Sequence, residues 1–247
     1  MNIRLLTPQQ LFGIEEYHLT LLTPLQLQRK EATCEGERTR LTDAKRFYHY
    51  VRIFKQGGFK GSTPYLFPAV AVPAILPSAQ RQRSWLTYHA SEENLNSNLQ
   101  YRDQPLIREF NTLVRDAFKR IPKNKEAYFL LDGHTKSTAA ALHGSLLPTF
   151  CLRDEVDYIE CLTAAESGAL DEFAPLHSGD SYPITVERLD MITDLEGLLK
   201  EVREHIYSHW LNRANDVAFY TAEERAKKLR VTLEEDGQHI PELLLPK

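Results

Sequence analysis

A mixed α/β fold is predicted because helix-like and strand-like segments alternate along the chain. The clearest helix is predicted at 105–120, where apolar side chains recur at helical spacing. Short apolar segments at 126–131 and 147–152 are typical of strands, and the Ala-rich segment 137–143 between them is typical of a helix. This strand–turn–helix–strand order predicts a mixed α+β sheet with a turn at 132–134 beside it.

Two further elements are predicted in the first half of the chain. A helix is expected at 44–54, closed by the glycines at 57–58. The apolar segment 65–72 is typical of a strand. Because proline has no backbone N–H to donate, Pro68 and Pro73 favour an edge strand or a bulge for this segment.

The remaining segments are more polar. Residues 77–104 lack a clear period and are predicted to form an insertion or loop, which Trp85 and Tyr88 would anchor. Beyond residue 152 the chain becomes acidic and helical, with an amphipathic helix expected at 195–211 and a solvated helix at 221–235.

Length and composition indicate an ordinary globular protein. The 247 residues, of which 42% are hydrophobic, can form one large domain or one domain with a helical appendage. No run of about 18 apolar residues is present and the first residues lack the pattern of a signal peptide, so a cytoplasmic location is expected. The three cysteines suggest neither a disulfide framework nor a zinc site, and Cys151 and Cys161 are expected in the core.

Charge is distributed unevenly along the chain. Residues 1–152 hold 20 Lys and Arg against 13 Asp and Glu, whereas residues 153–247 hold 10 against 21. The first part can attract a polyanion, while the second would repel a long nucleic acid. A nucleotide fits this pattern better than a duplex, although solvated surface charges without a partner would give the same counts.

The turn at 132–136 combines several features of a phosphate-binding loop. A strand that enters a helix through a glycine leaves backbone N–H groups at the helix N-terminus, where they attract anions. Gly133 allows close approach or a positive φ, and Lys136 adds a positive charge. The predicted phosphate-binding residues are Gly133, His134, Thr135, Lys136, Ser137 and Thr138.

Two residues of this turn have chemical roles of their own. Asp132 can orient a metal ion or a substrate hydroxyl, and His134 can donate a hydrogen bond. The alternative is a plain strand-to-helix turn in which Asp132 caps the helix.

The stretch 130–144, followed by the strand at 147–152, resembles the Asp-Gly-His-x-Arg box of ParB/sulfiredoxin-like proteins, with Lys136 where that group usually has Arg. The segment from 25–31 to the glycines at 57–58 is similar to the opening segment of that group. The resemblance implies a ParB/sulfiredoxin-like nucleotide-binding domain at 1–160 with an insertion at about 77–125. Residues 161–247 would form an acidic, mainly helical C-terminal extension.

Within this group the chain is most similar to free serine kinases. That likeness implies ATP or ADP as phosphate donor, Mg²⁺ as cofactor, serine as acceptor and O-phosphoserine as product. Glu31 would accept the hydroxyl proton, in competition with Glu15, Glu16 and Glu35, and Asp132 and His134 would complete the catalytic set.

Other functions in the group fit less well. Sulfiredoxin chemistry needs a cysteine in the box, and none is present. A ParB-like DNA-associated protein would need a basic reading helix, which the acidic second part does not offer. The alternatives retained are that protein and a nucleotide-responsive regulator without catalysis. The sequence does not set the oligomeric state.

Overall fold

A computed structural model describes residues 3–14, 47, 49–56, 68–77, 84–88, 104–121, 126–166, 194–212 and 219–227. The strands are β1 (Ile3–Leu6), β2 (Leu11–Ile14), β3 (Ala69–Pro73), β4 (Tyr128–Asp132), β5 (Leu147–Cys151) and β6 (Phe219–Thr221). The α-helices with defined bounds are α1 (Gln104–Lys119), α2 (His134–Leu142), α3 (Glu155–Glu166) and α4 (Leu195–Asn212), and Pro8–Gln10 form a 3-10 helix. Residues 49–55 and 222–227 are also helical. The predicted mixed α/β class is confirmed.

All six described strands form one sheet in the order β1-β5-β3-β4-β2-β6. The pairs β5–β3 and β4–β2 are parallel, and the pairs β1–β5, β3–β4 and β2–β6 are antiparallel. Strand β4 therefore lies inside the sheet, and Asp132 at its end is directly followed by α2.

Alternating side chains bury both faces of the sheet. On β4, Phe129 and Leu131 join a core with α1, α3 and α4, whereas Tyr128 and Leu130 join a second core on the other face. The second core contains side chains of α2 and of residues 47–54, together with Ala69 on β3. Since successive residues of a strand point to opposite faces, this partition is what a sheet between two helical layers requires.

The first core contains side chains from both sides of residue 160, the predicted domain boundary. Phe12 on β2 lies 5.4 Å from Phe129 on β4 and 6.4 Å from Phe219 on β6, measured between ring centroids. Trp210 of α4 is 2% exposed and belongs to the same core. The acidic C-terminal part therefore contributes both a strand and a core helix, and the predicted domain bounds stay a prediction.

Several predicted elements are confirmed with small shifts. The helices at 105–120 and 195–211 and the strands at 126–131 and 147–152 are present, each within two residues of the predicted bounds. Residues 49–55 confirm most of the helix at 44–54. Cys151 and Cys161 are buried, as expected.

One prediction is confirmed in one of its two alternatives, and another needs correction. Strand β3 is not an edge strand, because it pairs with β5 on one side and β4 on the other; the predicted irregularity does occur, as a register shift between Val70 and Ala71. Pro73 is tolerated because it ends the strand. Helix α2 begins at His134 rather than at Ser137, because Gly133 already accepts the first helical hydrogen bond, from the Ser137 amide at 2.8 Å.

Residues 84–88 are anchored as the sequence predicts. Trp85 Nε1 donates a hydrogen bond to the Pro73 carbonyl at 3.0 Å. The Asn111 side chain accepts from the Tyr88 amide and donates to the Tyr88 carbonyl, each at 3.0 Å. The predicted insertion, 77–125, also contains α1. Residues 78–83, 89–103 and 122–125 lie outside the described residues.

Among the described residues, no helix combines the length and the apolar character needed to span a membrane.

Candidate anion-binding site at the start of helix α2

The start of α2 has the geometry of an anion site. Gly133 is the N-cap residue, with φ 95° and ψ 22°, and the first turn of the helix contains no acidic residue. The N-terminal amides of an α-helix have no acceptor within the helix, and glycine offers no side chain to cap them. Together with the helix dipole, these amides attract a negative charge.

Other helices of the chain receive acidic groups at the same place. In α3, Asp154 Oδ1 accepts from the Asp157 amide at 3.0 Å. In α4, Glu155 Oε2 accepts from the Leu195 amide at 2.8 Å. The start of α2 differs from both because its N-cap is glycine.

Close packing explains why glycine occupies position 133. A Cβ atom there would lie 2.6 Å from Ala69 Cβ and 3.1 Å from Ala69 Cα, and its φ of +95° is one that side chains of L residues rarely adopt. The small Ala69 side chain on β3 lets the backbone at the β4–α2 junction pack closely against β3. Gly133 thus has the positive φ predicted for it, and its lack of a Cβ atom also permits close packing against Ala69.

Lys136 and Asp132 come together at this junction. The Lys136 side chain is 6% exposed, and its Nζ lies 3.7 Å from Asp132 Oδ2 and 5.8 Å from the centre of the Tyr50 ring. A separation of 3.7 Å exceeds the usual 2.7–2.9 Å of a charge-assisted hydrogen bond, so the pair is held by charge. The structure therefore places a buried cation and a carboxylate beside the first turn of α2.

The ring of His134 packs against β2. A Cβ atom at Gly13 would lie 2.5 Å from His134 Nε2, so glycine at position 13 gives the ring its space. Within the part of the chain that the structure describes, Nε2 is buried without a hydrogen-bond partner. Burial, with a smaller effect of the Arg225 charge, lowers the pKa of His134 from 6.5 to about 3. At neutral pH the imidazole is uncharged, and it offers an anion no positive charge.

The hydroxyl groups of Ser137 and Thr138 point into the first turn. They donate to the His134 carbonyl at 2.8 and 2.9 Å, and both residues are fully buried. Thr135 is half-buried. Glu31, the predicted base, lies outside the described residues, as do Glu15, Glu16 and Glu35.

Arg225 is a site residue that sequence reasoning missed. Its Nη2 donates to Ser137 Oγ at 3.0 Å. The helical segment 222–227 that holds Arg225 begins with a capping box, because the Thr221 and Glu224 side chains accept from each other's backbone amides at 3.1 and 2.8 Å. The Thr-x-x-Glu pattern at 221–224 could have located the helix start, but it carries no signal for contact with α2, 88 residues away.

No group of three or more His, Cys, Asp or Glu side chains is arranged to hold a metal ion within the described ranges.

Comparisons with known proteins returned no match to a protein-family model, a curated protein or a solved structure.

Replacing Gly133 with alanine should destabilise the fold more than the same change at Gly144. Gly144 also has a positive φ, of 60°, but a Cβ there meets nothing within 4 Å. The left-handed conformation costs about 1–2 kcal/mol at either position. Overpacking against Ala69 adds about 1–3 kcal/mol at position 133 only.

Urea unfolding of the Gly133→Ala and Gly144→Ala variants measures this difference. Equal losses of unfolding free energy in the two variants would show that the contact with Ala69 is not tight.

The neutral state of His134 predicts acid sensitivity. Above pH 6.5 the imidazole is neutral in both the folded and the unfolded state, so it adds no pH dependence. Between pH 6.5 and about 3 the unfolded state takes up a proton that the folded state does not. The free energy of unfolding should then fall by up to about 1.4 kcal/mol per pH unit.

Denaturant titrations at several pH values, compared between the wild type and His134→Gln, isolate this contribution. The wild type should show the steeper loss between pH 6 and 4. The same slope in both proteins would mean that the pKa of His134 is the same in the folded and the unfolded state.

Proposed function

We propose that the protein binds a nucleotide through its phosphates at the start of α2 and transfers a phosphoryl group to the hydroxyl of a small amino acid. The observation that supports this most is the glycine-capped first turn of α2 beside the buried Lys136. Backbone amides, the helix dipole and an ammonium group then act on the same anion.

The energetics of Lys136 favour an anionic ligand. Removing an ammonium group from water is costly unless opposite charge is near, and Asp132 supplies one such charge at 3.7 Å. The helix N-terminus beside it carries a partial positive charge, which raises the free-energy cost of burying the ammonium group there. A bound phosphate would interact favourably with both the ammonium group and the helix N-terminus.

The fold proposed for the chain is the ParB/sulfiredoxin-like one, with the free serine kinases as its nearest members. In support, the Asp-Gly-His-x-Lys box spans the junction of β4 and α2, and β5 follows α2. A cytoplasmic location belongs to the same proposal and rests on the sequence.

The proposed reaction uses few residues of the chain. The amides of α2 and Lys136 bind the phosphates of ATP or ADP, and Asp132 orients either the serine hydroxyl or the metal ion. Glu31, assigned by the resemblance, takes the hydroxyl proton as the oxygen forms its bond to phosphorus and the bond from phosphorus to the nucleotide breaks. The products are O-phosphoserine and the shortened nucleotide.

Mg²⁺ fits this site, because the ion usually takes one or two carboxylates together with phosphate oxygens. Asp132 is the described residue that would hold it. When bound, the ion would neutralise part of the phosphate charge.

The Lys136→Gln variant should bind ADP roughly 10–100-fold more weakly than the wild type, because one charge-assisted hydrogen bond contributes about 1.5–3 kcal/mol. Lys119→Gln is the matched control, since Lys119 is 76% exposed and pairs with Asp116 on α1. Isothermal titration calorimetry measures both affinities. Equal ADP affinity for the wild type and Lys136→Gln would show that Lys136 does not contribute to nucleotide binding.

Glu31→Gln should lower the rate of O-phosphoserine formation by about 10²–10⁴-fold, the usual contribution of a general base, while ADP affinity stays unchanged. Glu109→Gln is the control, because Glu109 is exposed on α1. Phosphorus NMR of reactions that contain serine, Mg²⁺ and either ATP or ADP measures the product.

The wild-type result also separates the alternative functions. Nucleotide binding without any O-phosphoserine would favour a regulator. Duplex binding whose affinity falls steeply with salt, without nucleotide binding, would favour a DNA-associated protein and contradict the proposal.

A further inference from the structure

The sheet edge formed by β1 exposes apolar side chains. Among the described residues, seven large hydrophobic side chains are exposed, and five of them lie on β1, directly before β5, or on α3, which follows β5. These five are Ile3, Leu5, Leu146, Val156 and Ile159. Leu5 and Val156 are the most exposed, at 60% and 66%. Single exposed apolar side chains are ordinary, whereas a group of them at one place indicates an interaction surface.

Strand register and core packing place β1 and α3 on the same face of the sheet. Ile3 pairs with Phe150, and directly opposite residues of neighbouring strands point to the same face. Phe150 belongs to the core that also contains Tyr158 and Cys161 of α3. Leu5 lies two residues after Ile3 in the strand and therefore points the same way. The exposed apolar side chains of β1 thus share a face of the sheet with α3.

The outer edge of β1 offers a place for a further strand. Of the described strands, only β5 pairs with β1, whereas at the opposite edge of the sheet Arg120 donates a hydrogen bond to the Phe219 carbonyl of β6. A strand at a sheet edge presents backbone N–H and C=O groups that an extended segment can pair with. Alternate side chains of such a segment would lie on the face that carries Ile3 and Leu5.

The charge beside this edge favours one kind of partner. Residues 153–160 contain four acidic residues and one basic residue, Arg153, which pairs with Asp157 at 3.0 Å. Of the acidic residues, Asp154, Glu155 and Glu160 are exposed. A second copy of the chain, paired through β1, would bring two acidic α3 helices to one interface, and like charges across an interface are unfavourable. A segment that carries basic residues is complementary instead.

We propose that β1 binds an extended segment of a partner protein that joins the sheet as a further, antiparallel strand. Antiparallel pairing is slightly more stable per residue than parallel pairing. The apolar side chains of the segment lie against Ile3 and Leu5. Its basic residues follow at the C-terminal end, because that end of an antiparallel segment lies beside Ile3, where β5 ends and α3 begins. This proposal is independent of the phosphate site at α2.

Fluorescence anisotropy with labelled peptides tests the proposal. The probe peptide is Ser-Ile-Ser-Ile-Ser-Lys-Lys-Lys, in which the lysines follow the alternating apolar residues. The wild type should bind it about tenfold more tightly than a peptide whose lysines precede the Ser-Ile repeat, because only the first order brings the positive charges to α3. A peptide with glutamate in place of lysine should bind more weakly still.

Variants of the chain locate the bound peptide. Leu5→Ser should weaken binding of the probe peptide by about tenfold, because an apolar contact is lost. Leu211→Ser is the matched control, since Leu211 is an exposed apolar residue of α4, and it should bind the peptide like the wild type. Hydrogen exchange should also slow at those amides of residues 3–6 that point outward, because an added strand protects them.

Several results would overturn the proposal. The absence of saturable binding would do so, and so would equal affinity for all three peptides or for the wild type and Leu5→Ser. Sedimentation equilibrium provides a further test. A wild-type dimer that Leu5→Ser dissociates would assign the edge of β1 to a second copy of the chain and contradict the choice of a basic partner.

Discussion

The contact between Gly133 and Ala69 is the constraint on which the candidate site depends. It requires a left-handed residue without a Cβ atom at the end of β4, and it lets α2 begin directly against the sheet. Because Gly133 brings no side chain, the first amides of α2 lack the cap that Asp154 gives to α3. The same backbone geometry that closes the core therefore creates the positive helix terminus.

The charges around this terminus follow from packing on both of its sides. Lys136 is buried beside Asp132 and Tyr50. Arg225 is positioned by the segment that follows β6, which pairs with β2. His134 is neutral at pH 7 because burial against Gly13 lowers its pKa. The Lys136 and Arg225 side chains lie on either side of the turn. Lys136 and Arg225 can therefore interact with an anion, whereas the neutral imidazole of His134 packs against β2.

Local patterns predicted the parts of the fold that depend on short-range order. The amphipathic repeat at 105–120 and the strand–glycine–helix order at 126–143 were sufficient for α1, β4 and most of α2. Strands β1, β2 and β6 have only three or four residues each, too few for a period to emerge, and Pro73 made the central strand β3 resemble an edge strand. In the candidate site, residues adjacent in sequence were found, whereas Arg225 was not, since its contact with Ser137 exists only through the sheet.

The central claim is that the backbone amides of residues 133–136 bind phosphate oxygens. An amide-resolved NMR titration of the labelled protein with pyrophosphate tests it most directly. The account predicts that the largest shifts fall on these four amides and saturate together. Saturable shifts confined to other parts of the chain, with these four amides unmoved, would contradict it.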